Sequence, residues 1–226
     1  MKTITHRPSH DTRPAISPMA LEPLRDIIWN VTSICGWNCA ACCVAATHVK
    51  QKHGVALISS PELDRYEIIE DDGQGGNPFD HALRLRQRKG LELTLAEKLV
   101  ILDNLSGHNI RLDISGGDVL SPRENYTLLQ EAAKRFGRGA ITLTATGAGL
   151  AHYDIPALAG MISELNFTFD GEPDGVDPLR PSTYARSNLQ RARKFGAVGV
   201  STRAECPLSA QNLEPEVLTR IYMQLH

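Results

Sequence analysis

A chain of 226 residues is long enough for one sizeable domain with a buried core. Its 24 Lys and Arg residues nearly balance its 26 Asp and Glu residues, so the composition offers no basic surface of the kind that binds nucleic acid. The first twenty residues lack the apolar run of a signal peptide, and no later segment is long enough to span a membrane. We therefore expect a cytoplasmic protein with neither nucleic acid nor a membrane as its partner.

The first predicted elements surround a cysteine-rich loop. Residues 1–23 are polar and rich in proline and histidine, and are interpreted as a flexible lead-in. Residues 24–31 predict a strand that leads into the loop. Residues 48–92 combine the acidic, glycine-rich stretch IIEDDGQGGNPFD with the basic stretch RLRQRKG. We interpret them as a partly helical insertion that either covers a site or forms a mobile surface loop.

From Thr94 onwards, strands and helices alternate. A capping box formed by Thr94 and Glu97 predicts a helix start, and a second box at residues 121–124 predicts another, which Gly137 ends. The strands are predicted at residues 110–115, 140–146, 165–169 and 198–205, and the later helices at residues 155–162, 182–195 and 213–226, the last capped by Asn212.

This alternation with short connections is typical of βαβ units that build a parallel sheet. Five such units do not close an eight-stranded barrel, but they suit a partial, open one. The predicted fold class is therefore α/β, a partial barrel of parallel strands without its last unit. Either the barrel is incomplete by nature or the sequence has been cut short before a sixth strand.

Four of the five cysteines lie within residues 35–43, which is not the pattern of a disulfide framework. Cys35, Cys39 and Cys42 have the spacing C-x3-C-x2-C and can converge on one metal centre. A structural zinc site commonly uses two separated ligand pairs, and no second pair follows here. Three thiolates fit three irons of a 4Fe-4S cluster and leave the fourth iron open to a substrate or cofactor.

Other interpretations of the cysteines stay open. The loop is alternatively a structural zinc site, or an electron-transfer cluster completed by Cys43, Cys206 or a histidine. We expect Cys43 to be buried packing and Cys206 to lie at the end of the fifth strand. The sequence thus supports three hypotheses: an enzyme with an open iron, a non-enzymatic zinc- or cluster-binding interaction module, and another α/β enzyme whose cysteines sense redox state.

At the cysteine loop the sequence resembles the radical S-adenosylmethionine (radical SAM) enzymes. Their C-x3-C-x2-C signature follows the first strand of a partial (βα)6-type barrel. Their Gly-Gly-Glu-like stretch, which receives the amino group of the cofactor's methionine, is similar to a stretch at the end of the second predicted strand, with aspartate in place of glutamate. That stretch is Ser115, Gly116, Gly117 and Asp118.

Two further features extend the resemblance. FTFDG at residues 167–171 is similar to the ISLDG stretch of the subgroup that modifies peptides and other natural products. It implies that Thr168, together with Arg180 a dozen residues later, holds the ribose or the carboxylate of the cofactor. The family commonly has an aromatic residue before the third cysteine, near the adenine, whereas this chain has Ala41, so cofactor contact there would use the backbone.

The resemblance covers about residues 24–212 and implies a radical SAM core at residues 24–226, with the lead-in at 1–23 and the insertion at 48–92. It implies a 4Fe-4S cluster on Cys35, Cys39 and Cys42, and S-adenosylmethionine as the second cofactor. Reductive cleavage of that cofactor would give a 5′-deoxyadenosyl radical that takes hydrogen from a peptide or small-molecule substrate. An electron donor such as flavodoxin or ferredoxin is also implied, whereas no residue that acts on the substrate follows.

Overall fold

The computed structural model describes residues 23–60, 65–70, 73–171, 179–210 and 212–225. The predicted lead-in, residues 1–23, lies outside this part of the chain except for its last residue. The strands are β1 (Arg25–Asn30), β2 (Ile34–Cys35), β3 (Thr47–Lys52), β4 (Val55–Ser59), β5 (Glu67–Ile69), β6 (Ile110–Ser115), β7 (Ile141–Thr144), β8 (Glu164–Thr168) and β9 (Ser201–Glu205). The helices are α1 (Pro78–Arg88), α2 (Leu95–Leu105), α3 (Glu124–Phe136), α4 (Gly147–Leu150), α5 (Ile155–Ala159), α6 (Tyr184–Ala197) and α7 (Pro215–Leu225), with a 3-10 turn at Arg138–Ala140.

A five-stranded parallel sheet forms the centre of the fold, in the order β1-β6-β7-β8-β9. All four strand pairs are parallel, and at least one helix separates each strand from the next. Because the strands are parallel, their carboxyl ends meet at one edge, where loops from different strands can build a common site. The predicted α/β class, with its five strands in these places, is confirmed.

The two faces of this main sheet differ in character. On one face, Leu112, Ile114, Leu143 and Leu165 are completely buried and pack with apolar residues of the helices. The opposite face carries the polar side chains that alternate with these buried ones. In β6, for example, Arg111 and Asp113 alternate with the buried Ile110, Leu112 and Ile114. The side chains of a strand point alternately to either face, so the sheet has one apolar face covered by helices and one polar face.

A second sheet, in the order β2-β3-β4-β5, lies in the segment that contains the predicted insertion. The pair β2–β3 is parallel, and the other two pairs are antiparallel. His53 and Gly54, both with positive φ, form the tight turn between β3 and β4. Ile34, Val49 and Ile58 form its core together with residues of β5 and α1. The insertion thus supplies strands as well as a helix, whereas the sequence indicated only partial helix.

Of the two predicted capping boxes, one is present at the start of its helix and the other is not. α2 begins as predicted, because the Thr94 side chain accepts from the Glu97 backbone N–H and the Glu97 carboxylate accepts from the Thr94 N–H at 2.8 Å. The capping box predicted at residues 121–124 is wrong. α3 begins at Glu124 without a side-chain cap, and the Asp80 carboxylate of α1 accepts instead from the Arg123 N–H at 2.8 Å.

Asn212, predicted to cap the last helix, has another role. Its amide donates to the backbone oxygens of Asp170 and Pro207, and its Oδ1 accepts from the Ser209 N–H. The residue therefore fixes the loop after β9. Gly137 ends α3 as predicted. None of the described helices combines the length and the apolar composition that a membrane crossing requires.

Candidate active site

The cysteine loop begins after β1, at the carboxyl edge of the main sheet. Cys35 is 6% exposed and ends β2, while Cys39 and Cys42 are half-buried. Cys43 is exposed, which corrects the expectation that it is buried packing. All five cysteines of the chain, including Cys206, are free thiols.

The three predicted ligand thiols influence one another. Burial raises the pKa of the Cys35 thiol well above its usual range, and the charges of Asp118, Cys39 and Cys42 raise it further. Burial also raises the pKa of Cys39, although a hydrogen bond from Arg180 opposes this shift. Cys35 and Cys39 are therefore protonated at neutral pH in the metal-free chain, and a metal that binds them must displace their protons.

The loop offers a suitable donor set without a preassembled centre. Within the described residues, no three Cys, His, Asp or Glu side chains converge closely enough to hold a metal ion. The sulfur atoms of Cys35 and Cys42 already accept hydrogen bonds at 3.3 Å from the backbone N–H groups of Trp37 and Ala46. Hydrogen bonds to sulfur also tune iron–sulfur clusters. Three thiols on one loop, two of them with backbone donors, are a donor set that fits a three-thiolate cluster once the loop brings them together.

The Gly-Gly-Asp stretch binds the chain that enters the cysteine loop. The N–H of Gly117 donates to the Thr32 oxygen at 2.8 Å, and the N–H of Asp118 donates to the Ile34 oxygen at 2.7 Å. A Cβ on Gly116 or Gly117 would overlap these backbone carbonyls, and Gly116 has a φ of +151°. The glycines are therefore needed for this close approach between two backbone segments.

Asp118 is completely buried at the end of this stretch. Its Oδ2 accepts hydrogen bonds from the Ser121 hydroxyl at 3.0 Å, the Thr146 hydroxyl at 2.6 Å and the Gly149 N–H at 2.8 Å. Its Oδ1 has no hydrogen-bond partner among the described residues. Burial raises the pKa of Asp118, although these hydrogen bonds oppose the shift. One oxygen therefore organises the protein, and the other is left to accept a further donor.

Trp37, inside the cysteine motif, connects the loop to Asp118. Its indole N–H donates to the Thr146 hydroxyl at 3.0 Å, and that hydroxyl donates to Asp118. The Trp37 ring also meets the Tyr184 ring edge-on, with centroids 5.2 Å apart. The loop is thus held at one end by backbone pairing and in its middle by this indole.

Arg180 lies against the cysteine loop from the other side. Its Nε donates to Asp170 at 2.9 Å, and its side chain is only 10% exposed. Its guanidinium also donates to Cys39 and lies over the Tyr184 ring, 5.3 Å from the centroid. Burial alone would lower the pKa of Arg180, but the hydrogen bonds to Asp170 and Cys39 outweigh it and raise that pKa. Asp170 thus already occupies two donors of the arginine that was predicted to grip the cofactor.

The remaining predicted residues lie around the same edge. Thr168 ends β8, and its side chain hydrogen-bonds Tyr184, whose pKa burial nevertheless raises to about 12. Ser115 ends β6, and its backbone oxygen accepts from the Val31 N–H at 2.8 Å. Ala41 is exposed on the cysteine loop. Cys39 thus lies beside Arg180, and Cys35 lies near Asp118.

Glu92, which the sequence did not single out, anchors the start of the loop. Its Oε1 accepts from the Ser33 N–H at 2.7 Å, from the Ser33 hydroxyl at 2.8 Å and from the Thr32 hydroxyl at 3.3 Å. Its side chain is 5% exposed and lies 3.6 Å from Arg86. No local pattern marks this residue, whereas Trp37 within the motif and Asp170 within FTFDG had a visible signal.

Comparison with known proteins adds one fold relationship. No family model and no curated protein matches the chain. A solved structure described as "Native anSMEcpe with bound AdoMet" matches with a TM-score of 0.50 at 16% sequence identity, over 89% of this chain and 48% of that chain. This chain therefore spans about half the length of that protein. The likeness shows the fold: the parallel sheet with alternating helices is a partial α/β barrel, as predicted.

Proposed function

We propose that the chain is the core of a radical SAM enzyme. Cys35, Cys39 and Cys42 would hold a 4Fe-4S cluster whose fourth iron binds S-adenosylmethionine. The observation that carries this proposal is the position of the C-x3-C-x2-C loop, at the carboxyl edge of the parallel sheet and docked on the Gly-Gly-Asp stretch. Ligands of open parallel sheets bind at that edge.

The fold relationship supports the proposal. The matched structure contains bound AdoMet, and its likeness extends over most of this chain. A structural zinc knot or a redox-sensing loop would not require a partial barrel with a glycine-rich stretch at the next strand end. The radical SAM interpretation accounts for the loop and the barrel together.

The residues around the loop have distinct proposed tasks. A cluster and AdoMet bound there would supply an electron and a 5′-deoxyadenosyl radical for hydrogen abstraction. The free oxygen of Asp118 would accept from the ammonium of the cofactor, beside the backbone of Ser115, Gly116 and Gly117. Thr168 would donate to the ribose or the carboxylate, and Ala41 would offer only backbone contacts near the adenine.

Arg180 would bind the carboxylate of the cofactor with the donors that Asp170 leaves free. A guanidinium has five N–H groups and can serve two carboxylates at once. The ion pair with Asp170 fixes the direction of the guanidinium, and its contact with Cys39 links cofactor binding to the cysteine loop. The electron donor would be a flavodoxin or a ferredoxin, and the substrate a peptide or a small molecule.

Anaerobic reconstitution of the full chain with iron and sulfide tests the cluster assignment. We expect about four irons and four sulfides per chain, as a 4Fe-4S cluster requires. Cys35→Ala, Cys39→Ala and Cys42→Ala should each lose most of the bound iron, whereas the matched controls Cys43→Ala and Cys206→Ala should retain it. Iron and sulfide analysis with the visible absorption spectrum provides the measurement.

Two results would contradict the assignment. Stoichiometric zinc without iron would indicate a structural zinc module. Loss of the cluster in Cys43→Ala or Cys206→Ala would mean that a fourth cysteine closes the site, which leaves no open iron for a cofactor.

A further inference from the structure

A cavity of about 190 Å³ lies on the polar face of the main sheet, away from the helices. All five strands contribute to its wall, which is lined almost entirely by charged and polar side chains. On a sheet face that helices do not cover, packing of the fold does not require charged side chains to gather in one cavity. The charges of this wall therefore indicate what it can bind.

Both arginines of the wall already have carboxylate partners. The Nε of Arg111 donates to Asp26 at 2.7 Å, and Arg203 lies 3.0 Å from Glu164. Within each pair, the positive charge of the arginine and the negative charge of the carboxylate cancel. The positive side chains of the cavity are therefore not free to attract an anion.

Two further carboxylates of the wall, Asp113 and Glu205, have no ion pair among the described residues. In the part of the chain that the structure describes, Asp113 accepts hydrogen bonds from the Thr144 hydroxyl at 2.9 Å and, at 3.4 Å, from the Asn166 amide. Burial raises the pKa of Asp113, and burial together with the charge of Asp113 raises the pKa of Glu205. The wall thus has an excess of two carboxylates.

Asn166 adds an acceptor without a donor. The residue is 4% exposed, and its Oδ1 has no hydrogen-bond partner among the described residues. Its amide nitrogen donates to the Thr144 hydroxyl at 3.2 Å and to the Asp113 carboxylate. If the amide were turned over, its oxygen would lie against the Asp113 carboxylate oxygen without a hydrogen between them. A buried acceptor without a donor is unfavourable, and a donor from a ligand would satisfy it.

The wall also contains one exposed apolar side chain. Ile28 is 73% exposed and pairs in register with Asp113 on the neighbouring strand. Its side chain therefore lies beside the unpaired carboxylate. An aliphatic group next to an acidic acceptor suits a ligand in which a positively charged nitrogen is attached to a hydrocarbon skeleton.

We propose that this cavity is the substrate site and that it binds a protonated aliphatic amine, with the ammonium at Asp113, Asn166 and Glu205 and the hydrocarbon on Ile28. The assignment of the ligand as the substrate rests on the proposed function, whereas the binding chemistry does not. Both a free amine and a lysyl side chain of a peptide have this chemistry.

Binding to the full, metal-free chain near neutral pH tests the proposal without any radical chemistry. The probes are cyclohexylamine, cyclohexanol and cyclohexanecarboxylate, which share one skeleton and differ in charge. Calorimetry or ligand-observed NMR should show at least about tenfold tighter binding of the amine. A second arm compares acetyl-Gly-Lys-Gly-amide with its norleucine counterpart, and a preference for lysine there assigns the amine to a peptide.

Variants locate the binding. Asp113→Asn should lower the preference for the amine by about tenfold, and Glu205→Gln, which keeps the size of the side chain, should lower it severalfold. Asp103→Asn, on α2, is the matched control and should leave it unchanged. Equal binding of the three probes and of the two peptides, or an amine preference that survives in both Asp113→Asn and Glu205→Gln, would overturn the proposal. A chain that binds the cluster but lacks the preference refutes only this inference. A chain that shows the preference but binds no cluster refutes the proposed function and the assignment of the ligand as its substrate, and leaves the amine site itself in place.

Discussion

Asp118 accepts hydrogen bonds from a serine, a threonine and a backbone N–H while it is completely buried. The resemblance to the radical SAM enzymes implied a cofactor contact for this residue, from its place after two glycines. Its structural partners could not be predicted, because Thr146 and Gly149 come from a later strand end. The same carboxylate can hold these structural donors and also accept from a cofactor, since all three donors use the same oxygen.

The pH dependence of stability tests the environment of Asp118. Because burial raises its pKa, the unfolded carboxyl loses its proton at a lower pH than the folded one. The contribution of this group to stability is therefore fully present below the usual aspartate pKa and is lost as the pH rises through the folded pKa. We compare the free energy of unfolding of the wild type with that of Asp118→Asn.

Urea unfolding of both proteins from about pH 4 to about pH 8 provides the measurement. The wild type should become less stable relative to Asp118→Asn as the pH rises. All other titrating groups are shared, so their effects cancel in the difference. A difference that stays constant or increases with pH would show that the folded environment does not disfavour the charged carboxylate.

Glu92 shows the limit of local patterns for single residues. Its carboxylate holds Ser33 and Thr32 from 59 and 60 positions away. Glu92→Ala should lower the free energy of unfolding by about 1–3 kcal/mol, because it leaves the Ser33 N–H without its acceptor. Glu70→Ala, at an exposed position, is the matched control and should stay within about 0.5 kcal/mol of the wild type. Equal effects of the two substitutions in denaturant unfolding would contradict the anchoring role.

The contact between the end of β6 and the loop after β1 is an interaction of whole elements. Gly117→Ala should destabilise the fold by about 1–3 kcal/mol, because the added methyl overlaps the backbone oxygens of Ser33 and Ile34. Gly139→Ala is the matched control, since an added Cβ there meets nothing within 4 Å. Thermal or denaturant unfolding measures both variants. A neutral Gly117→Ala would show that the two segments are not in close contact.

Elements with strong local signals could be predicted from the sequence, and elements defined by distant partners could not. The box of Thr94 and Glu97 starts α2 because both residues act on the same helix end. The similar pattern at residues 121–124 fails, and Asp80, 43 positions away from Arg123, accepts from the N–H at the helix start instead. The hairpin of β3 and β4 was missed, because β3 is mostly polar or charged and buries only Thr47 and Val49.

The molecule as a whole follows from the alternation of strands and helices. Parallel strands place their carboxyl ends at one edge, so the approximate location of the candidate site could be predicted from the order of elements alone. The exact neighbours could not, since the contact of Cys39 with Arg180 depends on the loops after β1 and β8, which are three places apart in the sheet order. The polar face was visible only as alternating residues in the strand sequences, a pattern that by itself does not distinguish a solvated face from a cavity.

Cleavage of S-adenosylmethionine is the most direct test of the proposed function. The full chain, reconstituted anaerobically and reduced with dithionite, is incubated with S-adenosylmethionine, and 5′-deoxyadenosine is quantified by mass spectrometry against the reconstituted Cys35→Ala, Cys39→Ala and Cys42→Ala variants. We predict 5′-deoxyadenosine from the wild type and none above background from any of the three variants. A wild-type chain that binds iron and sulfide fully but forms no 5′-deoxyadenosine would contradict the radical SAM assignment.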